Sequence, residues 1–129
     1  MVKISRGDVF LADLGEGIGS EQKGVRPVIV VQNDIGNKYS PTVTVVPVTT
    51  KIHKHKGLPT HVLLTDQGGL NELSAAMAEQ IVTIDKSRLI EHLGSLDVRF
   101  MRVNIERIIL KQLGINIRKG HCKWENVKN

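Results

Sequence analysis

Arg26 is the residue of this chain best suited to chemistry. It ends a polar, glycine-bounded stretch, Gly19-Ser20-Glu21-Gln22-Lys23-Gly24-Val25-Arg26, and leads into a hydrophobic run, Pro27-Val28-Ile29-Val30-Val31. A guanidinium offers a planar fork of N–H donors that matches phosphate oxygens, and it stays charged throughout the physiological pH range. Pro27 presets the backbone at the first residue of a strand, where a missing amide donor is tolerated. A cation thus stands where a rigid strand meets a loop that brings Ser20, Glu21, Gln22 and Lys23 within reach, a common construction for phosphate handling.

Other reactive groups carry weaker signals. His53, Lys54, His55 and Lys56 crowd one loop, but zinc requires three or four ligands and the lone cysteine, Cys122, lies far off in sequence. A positively charged loop beside a phosphate backbone accounts for that composition better, so no metal is expected. His61, in Leu58-Pro59-Thr60-His61, begins a strand and reads either as an acid/base or as a hydrogen-bonded structural histidine. Glu21 and Glu79 form a candidate acid/base pair only if the fold brings them together; otherwise each is a polar loop or strand-end residue. Gly-x-Ser-x-Gly, the P-loop pattern and the dinucleotide fingerprint are all absent, which argues against a serine-hydrolase triad and most nucleotide-cofactor chemistry. No cofactor is expected.

The composition sets the frame for these groups. With 129 residues, 40% hydrophobic and 24% charged, the chain reads as one globular domain. No apolar run approaches the roughly 20 residues of a membrane helix, and residues 1–8 lack the apolar region of a secretory signal. A single cysteine excludes an intramolecular disulfide; set in His121-Cys122-Lys123-Trp124, it reads as an exposed spectator thiol. A cytoplasmic protein without membrane contact is expected. The net charge of +5 points to an anionic partner, although residues 115–129 alone carry Arg118, Lys119, Lys123 and Lys128 against Glu125, a net +3 that leaves +2 for the rest. Four aromatic residues, Phe10, Tyr39, Phe100 and Trp124, give base stacking little to work with.

The elements that must hold Arg26 are mostly strands. Short apolar runs punctuated by glycine, proline and asparagine predict strands at 8–14, 27–32, 42–49, 60–65 and 77–84. The second is apolar throughout, as in a strand buried on both faces, and Pro47 suggests an edge or a bulge near the end of the third. Five strands in about 80 residues suggest a small barrel or a strongly coiled sheet. Beyond them, residues 85–93 read as a short helix capped by Asp85 and stopped by Gly94. Residues 95–113 read as a longer helix opened by Ser95 and Asp97 and closed by Gly114. Its apolar residues cover more than one face, so it is expected to pack on the sheet and against a neighbour. A basic tail, 115–129, is expected to follow a domain of residues 1–114 and to be partly disordered.

Together, Arg6-Gly-Asp-Val9, Ala12-Asp-Leu14, Gly19-Ser-Glu-Gln22, Gly24-Val-Arg-Pro-Val28, Gln32-Asn-Asp34, Leu58-Pro-Thr-His-Val62, Glu79-Gln-Ile81 and Thr83-Ile-Asp-Lys86 closely resemble the MazF/PemK family of bacterial toxin endoribonucleases, over residues 4 to about 113. The resemblance implies a mainly β (α+β) fold, an SH3-like small β-barrel with a C-terminal helix packed on it, shared with the CcdB toxins. It implies a homodimer that cuts single-stranded RNA, messenger RNA included, at short sequences without a metal and leaves 2′,3′-cyclic phosphate and 5′-hydroxyl ends. A cognate antitoxin is implied as partner, with DNA reached only indirectly through the antitoxin complex. The family's catalytic arginine falls on Arg26 and its catalytic threonine on Thr49, with Thr50 adjacent as the other alignment. Ser20, Glu21, Gln22, His61 and Gln80 match segments lining the family's RNA groove. Such a phosphate-binding cleft is expected to admit an acidic antitoxin segment. Two other readings fit the same barrel: a non-enzymatic toxin that docks on a protein such as DNA gyrase, and a basic RNA-binding module without turnover. The proton acceptor and the recognised RNA bases stay open.

Overall fold

Alternation of valine and threonine makes Thr42–Thr49 the longest strand, and the rest of the molecule is arranged around it. A computed structural model describes residues 3–52 and 57–116. In chain order the strands are β1 (Asp8–Asp13), β2 (Val25–Val30), β3 (Thr42–Thr49), β4 (His61–Leu64), β5 (Ser74–Met77), β6 (Val82–Asp85) and β7 (Leu89–Ser95), with a one-and-a-half-turn helix, α1 (Asp34–Tyr39), between β2 and β3. All strand pairs are antiparallel, in the order β4-β5-β3-β2-β1-β7, with β6 also paired to β3. A C-terminal helix completes the expected mainly β, barrel-like architecture.

Side chains on successive strand residues point to opposite faces, and here both faces are buried. Val9, Ile29, Val46 and Val48 join Leu64, Ala76 and the helical residues Met101, Ile105 and Ile108 in one core. Phe10, Ala12, Val28, Val30, Val43, Val45 and Ile84 form the other. The continuous apolar run of β2 follows from this, since Val28 and Val30 serve one core and Ile29 the other. The C-terminal helix begins at α2 (Val98–Phe100), passes through a π-helical turn, Met101–Ile105, and ends as α3 (Glu106–Leu113). Asp97 accepts a hydrogen bond from the Phe100 amide at 2.7 Å, and Gly114 closes the helix in the left-handed region at φ 70°. Val98, Val103 and Leu113 stay exposed on the helix's other side. No described helix is long and apolar enough to cross a membrane.

Several expectations need correction. The single strand at 77–84 is two strands, β5 and β6, separated by a 3-10 turn, Ala78–Gln80. The break occurs where β3 changes partner: β6 pairs with Thr42 to Val45, and β5 with Val48 and Thr49. Pro47 falls between these two ladders, so its missing donor is tolerated in the central strand, away from any edge. The helix expected at 85–93 is a 3-10 turn, Lys86–Arg88, followed by β7. Asp85 does cap it, accepting from the Ser87 amide at 2.9 Å, but pairing with β1 then draws the chain into the sheet. Gly94 is required by close backbone approach: a Cβ there would lie 2.6 Å from the Gly68 carbonyl carbon. Helix α1 was not anticipated, although Asn33 caps it by accepting from the Gly36 amide at 2.8 Å. Asp34 accepts from the Arg6 amide and from Asn37, which together hold its carboxyl below the usual range.

Candidate active site

Arg26 is positioned by its backbone. It pairs with Ala12 on β1, and on the other side β2 runs against β3 with Val28 opposite Pro47, Ile29 opposite Val46 and Val30 opposite Val45. The β2–β3 ladder ends at Val28 and Pro47, and Arg26 and Thr49 each lie two residues beyond that last pair. Arg26 donates from Nε to the carbonyl of Lys23 at 2.9 Å, which fixes the base of the guanidinium against the loop. Its two Nη groups take part in no hydrogen bond or ion pair among the described residues, so both remain able to donate.

Thr49 ends β3 and is buried, at 5% exposure. Its Oγ1 accepts from the Lys51 amide at 3.1 Å, which turns the chain out of the strand and leaves the hydroxyl proton without an acceptor among the described residues. Thr50 is exposed and, unlike Thr49, lines a cleft of about 370 Å³ together with Arg26. Asn71, Glu72 and Ser74 line the same cleft. Ser74 donates to the Glu72 carbonyl at 2.8 Å and so holds the turn that carries them. None of these three was singled out in the sequence; the only signal was their place just before an apolar strand. A larger groove, about 1130 Å³, contains none of the candidate catalytic or RNA-binding residues.

The remaining candidates form two further groups. Ser20, Glu21 and Gln22 lie on the β1–β2 loop, where Glu21 accepts from the Ile18 amide at 2.9 Å. Gln80 faces this loop, accepting from the Gln22 amide and donating to the Ser20 carbonyl, both at 3.1 Å. His61, with a side chain 6% exposed, meets Glu79 through Nε2 at 2.5 Å, and Thr60 donates to the other oxygen of Glu79 at 2.7 Å. Burial pushes the Glu79 carboxyl upward, but the hydrogen bonds from His61 and Thr60 outweigh it and hold the group below its ordinary value. Glu21 and Glu79 therefore do not act as a pair; each carboxylate is committed to a different neighbour. Among the described residues, no cluster of three or more His, Cys, Asp or Glu could hold a metal ion. The histidines at 53 and 55, Cys122 and nearly all of the basic tail lie outside the described residues.

A cation with donors to spare in a cleft of mixed polar and apolar lining, with a buried strand-end hydroxyl next in sequence to the Thr50 that lines it, suits a phosphodiester. Residues 5–112 match the family described as PemK-like, MazF-like toxins of type II toxin-antitoxin systems. The chain belongs to this family. MazF-like relatives cover most of its length: Endoribonuclease EndoA of Bacillus subtilis (strain 168) is 50% identical over 99 residues, 76% of this chain and 84% of EndoA. Endoribonuclease MazF of Staphylococcus saprophyticus is 46% identical over 117 residues, 90% of this chain and 96% of that protein. The crystal structure of MazF from Deinococcus radiodurans shares the fold at a TM-score of 0.74 and 23% identity, covering 88% of this chain and 99% of that one. An endoribonuclease in complex with its cognate antitoxin from Mycobacterial species matches at 0.73 and 26% identity, covering 89% and 99%.

Proposed function

We propose that this MazF-family endoribonuclease toxin cuts single-stranded RNA, messenger RNA included, at selected sequences by attack of a ribose 2′-hydroxyl on the adjacent phosphorus. The O2′–P bond forms and the P–O5′ bond breaks, leaving a 2′,3′-cyclic phosphate and a 5′-oxygen that takes a proton from water. Negative charge builds on the phosphorane oxygens in between. Arg26 carries the reading: its Nε is held by Lys23, and its Nη groups are free to stabilise that charge from a strand end. Thr49 adds a hydroxyl donor from the neighbouring strand. A metal is not needed, because the substrate brings its own nucleophile and in-line positioning with charge stabilisation supplies much of the acceleration.

An arginine is a poor proton acceptor near neutrality. Glu72 is the carboxylate that lines the cleft with Arg26, and it takes the 2′-hydroxyl proton. Glu79 has both oxygens engaged and Glu21 is tied to the Ile18 amide. The exposed Val98, Val103 and Leu113 on the helix support a homodimer, and family membership supports neutralisation by an antitoxin whose acidic segment enters the cleft. The names of the relatives weigh against a non-enzymatic toxin.

The test is incubation of purified protein with long single-stranded RNA in excess chelator, beside Arg26→Ala. Metal-independent cleavage that ends in cyclic phosphate and is lost in the variant is expected. Cleavage that requires metal, or that persists undiminished in Arg26→Ala, overturns the mechanism.

A further inference from the structure

Two neighbouring side chains on one short turn hold two separate segments of the chain. The 3-10 turn Ala78–Gln80 continues directly from β5, whose Ala75 and Ala76 pair with Thr49 and Val48. On one side of this turn, Gln80 uses both ends of its amide on the backbone of the β1–β2 loop: Oε1 accepts from Gln22 and Nε2 donates to Ser20. On the other side, Glu79 accepts from Thr60 and His61, and the Ala78 amide donates to the Thr60 carbonyl at 3.0 Å. The His61 amide in turn donates to Leu58 at 3.1 Å. The same β1–β2 loop holds Arg26 through Lys23.

We propose that Glu79 and Gln80 are positioning residues for RNA cleavage: side by side on one turn, they hold residues 20–22 and 58–61 at a fixed separation and so select which RNA sequence reaches Arg26 and Thr49. The inference rests on the endoribonuclease reading above. It follows from the geometry of an amide with two partners on one loop and a carboxylate with two partners on another, joined by a single peptide bond. Because the turn extends a strand that pairs with the end of β3, the frame that places Thr49 also places both segments. The depressed titration of Glu79 is consistent with a carboxylate that works as an acceptor in this clasp and keeps its charge.

The test compares wild type, Gln80→Ala, Gln80→Glu and Glu79→Gln by residue-resolved amide hydrogen exchange, by kinetics on a single-stranded RNA oligonucleotide and by sequencing the ends cut in a long RNA. In Gln80→Ala, exchange of the Gln22 amide rises about tenfold while β3 amides stay protected, kcat/KM falls about tenfold and the cut sites broaden. Gln80→Glu, which keeps the acceptor for Gln22 and loses the donor for Ser20, falls between. Glu79→Gln broadens the cut sites and raises exchange at Gln22 as well as at residues 60 and 61. An unchanged cut-site distribution in Gln80→Ala overturns the proposal, as does Glu79→Gln exchange that changes at residues 60 and 61 alone. A wild-type protein that leaves RNA intact, with the exchange pattern as expected, overturns the endoribonuclease reading instead.

Discussion

The starts of β2 and β4 each set a nitrogen-bearing side chain next to a polar loop, and they differ in what is left over. At the start of β2, Arg26 commits only Nε among the described residues, to a carbonyl at 2.9 Å, and keeps its terminal donors available in a cleft. At the start of β4, His61 is almost fully buried and bonded to Glu79, whose two oxygens are both engaged. A side chain whose hydrogen bonds are made in the free protein contributes to the frame, whereas donors without a partner at a concave polar surface are the ones a substrate can take. On the proposed mechanism the first site serves chemistry and the second position.

The largest expected effect separates the two. Arg26→Ala should reduce cleavage by about 10²–10³-fold, the scale of losing a charge-stabilising donor, with little change in thermal midpoint because its one bond is to an exposed loop. His61→Ala should do the reverse. It leaves a cavity and a partly buried carboxylate without its His61 hydrogen bond, so unfolding free energy should fall by about 1–3 kcal/mol, while cleavage by the folded fraction falls by no more than about tenfold. Parallel denaturation and cleavage assays decide it. If His61→Ala is as inactive as Arg26→Ala while still folded, the second site is chemical too and the contrast collapses.

Glu72→Gln sharpens the comparison on the reactive side. Its carboxylate is exposed at the cleft, so the variant should keep its stability and lose about 10²-fold in kcat. A kcat equal to that of the wild type would mean that another group takes the proton.

How much of this was legible from the chain follows from where the information lies. The strands β1 to β4 announce themselves because each is a short apolar run bounded by turn residues, and β2 showed its two-sided burial in four successive aliphatics. Arg26 was visible for the same reason, standing at the boundary between a polar loop and such a run. The split between β5 and β6 was not, because it is caused by a change of partner along β3, and nothing local in Met77 to Ile84 records that. Leu89, Ile90 and Leu93 fit a helix as well as a strand; the open edge of β1 decided for the strand. Gly94 looked like a helix stop and is in fact a crossing point with Gly68 and Gly69. Glu72, to which the proposed mechanism gives the proton, was not singled out since a carboxylate in a turn has no pattern of its own, and only the fold brings it to the cleft that Arg26 lines. Gln80 was placed in a segment lining the family's RNA groove, and its bonds to the β1–β2 loop, a contact across 58 residues of sequence, show only in the fold.

The smallest expected effect concerns pH, and it tests the positional site without touching the reactive one. Glu79 titrates below its ordinary value of 4.5, because His61 and Thr60 donate to the charged form more strongly than burial opposes it. A carboxyl lowered on folding stabilises the native state at pH values above its unfolded pKa, and that stabilisation is lost as pH falls through the folded value. Stability should therefore be flat with respect to this group near neutrality and decline on acidification below about pH 4.5, with the decline continuing until the native carboxyl is protonated. In Glu79→Gln the same group cannot titrate, so the acid-side slope of stability against pH should be shallower than in wild type by the fraction of a proton that Glu79 would have bound. Chemical denaturation at a series of pH values between neutrality and the acid transition measures this slope. Equal slopes in the two proteins would mean that the clasp between Glu79, His61 and Thr60 does not persist in solution, and the distinction between an open and a closed strand start would lose its second member.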